Sequence, residues 1–178
     1  DNGLTAEPAI LSAIAAGYSR GDEEEADKIG FEETLAAGYN PYSMLVGLLK
    51  LDSLSPDEGT DLFSDHPSNL KRIEKIKSYL HGLSIPVQVK DNKDTAYVYN
   101  STCQTPLLKV SSDGLSPLER AYFLAGNIYR ISQCKKYDPD YYILDSDGTN
   151  IYIYYDNICI IKLTPNDAAA ADTDLTSL

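Results

Sequence analysis

The stretch Tyr18-Ser19-Arg20-Gly21-Asp22-Glu23-Glu24-Glu25-Ala26-Asp27-Lys28-Ile29-Gly30 carries five carboxylates within six positions, at what reads as the start of a helix. Glu23 and Asp27 are four residues apart, so a helix sets them on one face, one turn from each other. Ala26 and Gly30 flank them and are small enough to admit a second helix at close range. A plain reading is available, because acidic residues at a helix N-terminus complement the macrodipole by about 0.3–1 kcal/mol each.

Helical patterning extends outward from this stretch up to about Leu83. A first helix is expected from Ala6 to Tyr18 with Ile10, Leu11, Ile14 and Ala15 as its apolar stripe, and the acidic helix then runs to Ala37. Gly38 stands where a helix end favours a left-handed residue. Asn40-Pro41 restarts the chain as an N-cap followed by proline. Met44, Leu45, Val46, Leu48 and Leu49 make the next helix, Tyr42 to Leu51, apolar on most sides. Ser53 to Asp65 reads as a polar loop with Pro56, Asp57 and Gly59 as turn residues. A fourth helix opens at His66-Pro67, with Leu70, Ile73, Ile76, Leu80 and Leu83 on one side and lysines on the other.

Beyond Leu83 the period changes from about 3.6 to 2. Strands are expected at 85–89, 96–99, 107–110, 141–144, 151–154 and 158–161, with a hairpin turn at Asp147-Gly148. One helix interrupts them, capped by Ser116 with Pro117 in its first turn and apolar through Leu118, Ala121, Leu124, Ala125, Ile128 and Ile131. Ten of the 14 tyrosines fall in this half, which suits strands with one wet face. After Thr164 a short helix is expected. The fold class is therefore α+β, with a helical domain over 1–84 and a small α+β domain of antiparallel strands and one central helix over 85–178.

Composition narrows the function classes. A net charge of −12 argues against a nucleic-acid binder, which needs a basic footprint. No apolar run approaches the roughly 20 residues of a membrane-spanning helix. Cys103, Cys134 and Cys159 form no CxxC pair, which disfavours zinc-ribbon and thioredoxin chemistry; an odd count permits one disulfide plus a free thiol, and three buried thiols fit it better. Glu23 and Asp27 lie on one side of any substrate, whereas glycoside hydrolysis needs carboxyls on opposite sides of the scissile bond. No phosphate-binding glycine loop is present, and no Ser or Cys nucleophile has a credible histidine base.

Three motifs occur in order: Ser19-Arg20-x-x-Glu23-x-x-Ala26-Asp27-x-x-Gly30, then Ala37-Gly38-Tyr39-Asn40-Pro41, then Phe63-Ser64-Asp65-His66-Pro67 with Arg72-Ile73 beyond. Together, over about residues 13 to 83, they resemble the part of a gluzincin metallopeptidase that follows the HExxH helix, in the branch of the HtpX, Oma and BepA-like peptidases and the CAAX prenyl proteases. The resemblance implies that Glu23 is the third zinc ligand and that Asp27 orients a zinc-bound histidine from behind. It implies that His66 sits beside the metal and that Arg72 stabilises charge on the attacked carbonyl. Ala26 and Gly30 become the packing surface for the HExxH helix.

The chain departs from that family in one decisive respect. His66 and His81 are its two histidines, and HExxH occurs nowhere in it. The two histidine ligands and the general-base glutamate are missing. The chain opens Asp1-Asn2-Gly3 without an initiator Met, and the expectation is a C-terminal portion of a zinc metalloendopeptidase, inactive alone, whose full-length form carries zinc and cleaves peptide or protein substrates. The alternative is a metal-free binding or scaffold protein derived from one. By analogy the location is extracytoplasmic, periplasmic or secreted. The second half loosely resembles a small α+β module appended to bacterial envelope proteins, with docking of a protein partner as its expected role.

Overall fold

The computed structural model describes residues 6–54 and 69–177, with side chains over 21–53 and 69–177. The chain divides into two compact units, Asp1–Leu83 and Ser84–Leu178. The architecture is mixed α+β. Among the described residues no helix is long and apolar enough to cross a membrane.

Among the described residues the first unit has three helices, α1 (Ala6–Ala36), α2 (Ser43–Leu54) and α3 (Asn69–His81). The two helices expected before residue 37 are one helix of 31 residues. The one proline of this span, Pro8, lies in its first turn, where it is tolerated, and Gly17, Gly21 and Gly30 cost only about 1 kcal/mol each in a helix interior. This continuity removes the plain explanation of the acidic run. Residues 22–27 lie well inside α1, whereas macrodipole stabilisation fades beyond the first turn. The end of α1 is closed as expected: Gly38 takes φ +74°, its N–H donates to Leu35 O, and the Tyr39 N–H donates to Thr34 O, both at 3.0 Å. The Asn40 side chain then accepts from the Tyr42 N–H at 2.9 Å and sets the entry to α2.

Leu45, Val46 and Leu48 of α2 and Ile73, Ile76 and Leu80 of α3 are buried, and the two helices pack together. Phe31 of α1, also buried, stands against the ring of Tyr79 of α3, with centroids 5.5 Å apart. A Cβ added at Gly30 would come 3.2 Å from Met44 Cε, so this glycine faces α2. Ala26 is exposed. The expected apolar stripe of α1 before Tyr18, the loop up to Asp65 from residue 55 onward, and His66-Pro67 lie outside the described side chains.

The second unit pairs β1 (Gln88–Asp91) with β2 (Ala96–Tyr99), and orders β3 (Tyr142–Ser146), β4 (Ile151–Tyr155) and β5 (Ile158–Leu163) as β3-β4-β5, antiparallel throughout. Helix α4 (Pro117–Ser132) packs on β1, β2 and β5 through a stripe that includes Ala121, Leu124 and Ala125, all buried. The strand expected at 107–110 shrinks to a single bridge between Leu108 and Ala96, since Pro106 has no N–H with which to extend the ladder. The β3–β4 connection spans four residues, 147–150, because the Asp147 carboxylate accepts from the Thr149 and Asn150 N–H groups and holds Gly148 at φ +86°.

One buried ion pair ties this unit together. Arg120 of α4 donates to both carboxylate oxygens of Asp167 at 2.6 and 2.9 Å, and to Val110 O and Lys162 O. Asp167 lies in the short helix α5 (Pro165–Ala170) and also accepts from the Thr164 N–H and hydroxyl. The three cysteines are free but exposed, contrary to the expected burial. Cys103 and Cys134 lie beyond element ends, and Cys159 sits across from Tyr154 on the face of the sheet turned away from α4.

Candidate functional site

Glu23, Asp27 and Phe31 follow each other at four-residue steps, so α1 presents one continuous face that changes from charged to apolar along its length. Phe31 seats the apolar end on α3. One turn earlier, Asp27 is buried at 6% residual exposure, a position a carboxylate keeps only with a partner. That partner is Arg72, near the start of α3. Its Nε donates to Asp27 Oδ2 and its Nη2 to Oδ1, both at 2.7 Å. The fork geometry of guanidinium on carboxylate is met, which makes this a strong, directional contact.

Electrostatics follow from that contact. The hydrogen bond to Asp27 does most to raise the basicity of Arg72; burial opposes it, and the negative charges of Asp27 and then Glu23 add to it. Glu23 is half-buried, with Oε2 shut off from solvent. The three side chains form a row of two carboxylates and one guanidinium. A bidentate arginine fills roughly half the acceptor capacity of a carboxylate, so Asp27 can still accept a further N–H. Arg72 commits two of its five N–H groups to Asp27, which leaves both on Nη1 and the second on Nη2 for other partners.

The structure thus brings together three of the four residues singled out from sequence. The fourth, His66, lies outside the described residues. His81 is exposed at the end of α3. Sequence reading missed the pairing of Asp27 with Arg72, which spans 45 positions. One signal was available: Arg72 stands four residues before buried Ile76 and so belongs to the inward side of α3.

Whether this residue set suits zinc is decided by counting donors. A catalytic zinc takes three protein ligands and keeps one open position. Asp27 is tied to Arg72 through both of its oxygens. Among the described residues no group of three or more His, Cys, Asp or Glu side chains could hold a metal ion. Among the described residues the donors do not make a zinc site by themselves.

Comparison with known proteins divides the chain at nearly the same place as the fold. Residues 3–80 match the family model of Peptidase family M48, and residues 102–178 match that of a Domain of unknown function (DUF8459). The chain matches no curated protein and no solved structure. The first unit is therefore related to the M48 metallopeptidases, whose members are zinc-dependent.

Proposed function

We propose that the first unit supplies the third-ligand segment of a zinc metalloendopeptidase centre of the HtpX, Oma, BepA or CAAX-protease type. Glu23 provides the carboxylate ligand, and the two histidines come from an HExxH helix that this sequence does not contain. The observation that carries the reading is the row Glu23–Asp27–Arg72, in a segment related to M48 peptidases. Within that row, Arg72 holds Asp27 charged and aimed, so that its remaining acceptor sites can fix the ring of a ligating histidine. Arg72 then acts through Asp27, and its Nη1 is a donor left for a developing oxyanion. Glu23, together with the two histidines of such a helix, would hold the zinc, which when bound would supply a water of lowered pKa and a Lewis acid for the scissile carbonyl.

A second reading, a non-catalytic binding or scaffold protein descended from a peptidase, is favoured by the absence of HExxH. The coding sequence ahead of Asp1 separates the two. The peptidase reading expects HExxH some tens of residues upstream, and about one zinc per chain in the polypeptide that carries it. Glu23→Gln in that polypeptide should abolish zinc binding and leave the helical signal unchanged. Equal zinc content in the variant and the parent would remove Glu23 from the site; an upstream sequence without HExxH would leave the scaffold reading. An extracytoplasmic location belongs to the same proposal.

A further inference from the structure

Residues 137–156, from the turn before β3 to the end of the β3–β4 hairpin, hold five aspartates, six tyrosines and no lysine or arginine. Within this stretch β3 is exposed at every position, Leu144 by 73%. It lies at the edge of its sheet, and among the described residues no strand pairs its outer side. Bare edges are usually blunted by charge, proline or a covering loop.

The alternation of the ladder says what this edge offers. The Asp156 N–H donates to Tyr141 O at 2.9 Å, so Tyr141, Ile143 and Asp145 turn their backbone groups toward β4. Tyr142, Leu144 and Ser146 turn theirs outward. Two of the three outward donors are already satisfied within the unit, Tyr142 N–H by Pro139 O and Ser146 N–H by the Asp145 carboxylate. Leu144 keeps an outward N–H, flanked by its own outward carbonyl and that of Tyr142. This is the pattern needed to seat one short added strand.

An apolar cavity of about 370 Å³ opens beside this edge, walled by Leu107, Leu124, Ile128, Tyr142, Ile153 and Ile161. Its volume falls in the range of about 300–1,000 Å³ typical of ligand pockets. Tyr142 belongs to both the edge strand and the cavity wall. Leu144, Ile153 and Ile161 stand in cross-strand register, so a strand laid along β3 would project alternate side chains toward the cavity side.

Charge selects the occupant. Asp138 is already paired with Lys136 at 3.4 Å; a second copy would bring its other four aspartates against these four, on a chain of net charge −12. A basic chain would meet them favourably. We propose that β3 accepts an extended, basic polypeptide as an added strand, with apolar side chains alternating into the cavity and lysine or arginine side chains against the aspartates. Main-chain hydrogen bonds supply affinity in such strand addition, and the alternating pockets supply selectivity. The proposal uses no residue of the first unit and holds whether or not the metal reading does.

The test uses the full chain and a fluorescein-labelled nonapeptide alternating lysine with isoleucine and valine, read by fluorescence anisotropy. Saturable binding is expected, weakening as salt rises. It should fall at least tenfold for the same peptide N-methylated at alternate amides, for the peptide with glutamate in place of lysine, and for the Leu144→Lys protein. Circular dichroism confirms that this exposed substitution leaves the fold intact. No saturable binding overturns the proposal, as does equal binding of the N-methylated peptide or of the Leu144→Lys protein. Sedimentation that shows a dimer without peptide binding would assign the edge to self-association instead.

Discussion

Replacing Arg72 with methionine leaves the Asp27 carboxylate buried without its guanidinium, and the geometry sets the size of the effect. Both hydrogen bonds are 2.7 Å long, and the Asp27 side chain is 8% exposed against 26% for Arg72. Breaking a buried pair by deleting one partner costs about 3–5 kcal/mol. The partial exposure of Arg72 lets water reach part of the site, so the lower end, about 3 kcal/mol, applies. Asp27→Asn should cost less, about 2 kcal/mol, because the guanidinium it strands is closer to solvent. The double variant Asp27→Asn/Arg72→Met should cost clearly less than the sum, leaving a coupling energy of about 2 kcal/mol. Peptide-resolved hydrogen exchange is the assay, because two units need not unfold as one. Amides of α1 beyond residue 27 and of α3 should exchange roughly a hundredfold faster in Arg72→Met, at about 1.4 kcal/mol per tenfold, while those of the second unit keep their rates. A change below threefold in α1 and α3, or additive single variants, would refute the buried clamp.

Three further outcomes follow from the packing. Gly30→Ala should change stability by no more than about 1 kcal/mol, on the stabilising side, since helix propensity improves and the flexible end of Met44 can yield; urea unfolding followed by far-UV dichroism checks this, and a cost above that size would show that Met44 is held fast. Burial pushes the Asp167 carboxyl up, but hydrogen bonds from Arg120 and Thr164 outweigh it and leave it below the usual carboxylate range. Its stabilisation is therefore full above the unfolded value of about 4 and lost as pH falls through the lower folded value. Asp167→Asn should destabilise the second unit by about 3 kcal/mol at neutral pH and flatten its acid transition; an unchanged acid profile in the variant would contradict this. All three thiols should react with a thiol reagent in the native protein, Cys159 most slowly because burial raises its thiol, and a native count of one or none would place them elsewhere.

What the sequence disclosed and what it hid divide along the range of the interactions. Local signals were readable: Gly38 at a left-handed helix end, Ser116 as a helix cap followed by Pro117, and the alternation of Ile151 to Tyr154 each depend on neighbours within about four residues. The break expected after Tyr18 failed because a local run of charge was mistaken for a helix beginning. Charge in mid-helix looks the same in sequence until the partner on another helix is known. Asp27–Arg72 and Arg120–Asp167 both join residues more than 40 positions apart, and no local period encodes such a pairing. The thiols were misjudged because cysteine is buried on average, whereas the element ends and sheet faces that carry them decide each case.

The Arg120 clamp has a consequence for the order of events during synthesis. The arginine leaves the ribosome 47 residues ahead of the aspartate that neutralises it. Until Asp167 has been made, the cation in the middle of α4 has no counter-ion to enter the interior with, and docking of that helix is penalised. The first unit, whose helices all precede residue 84, meets no such delay. The nascent chain should therefore carry a folded N-terminal unit and an open C-terminal one for the time it takes to translate from Arg120 to Asp167, several seconds at about 5–20 residues per second. During that interval the residues of β3 are already emerging, and their apolar side chains are left uncovered.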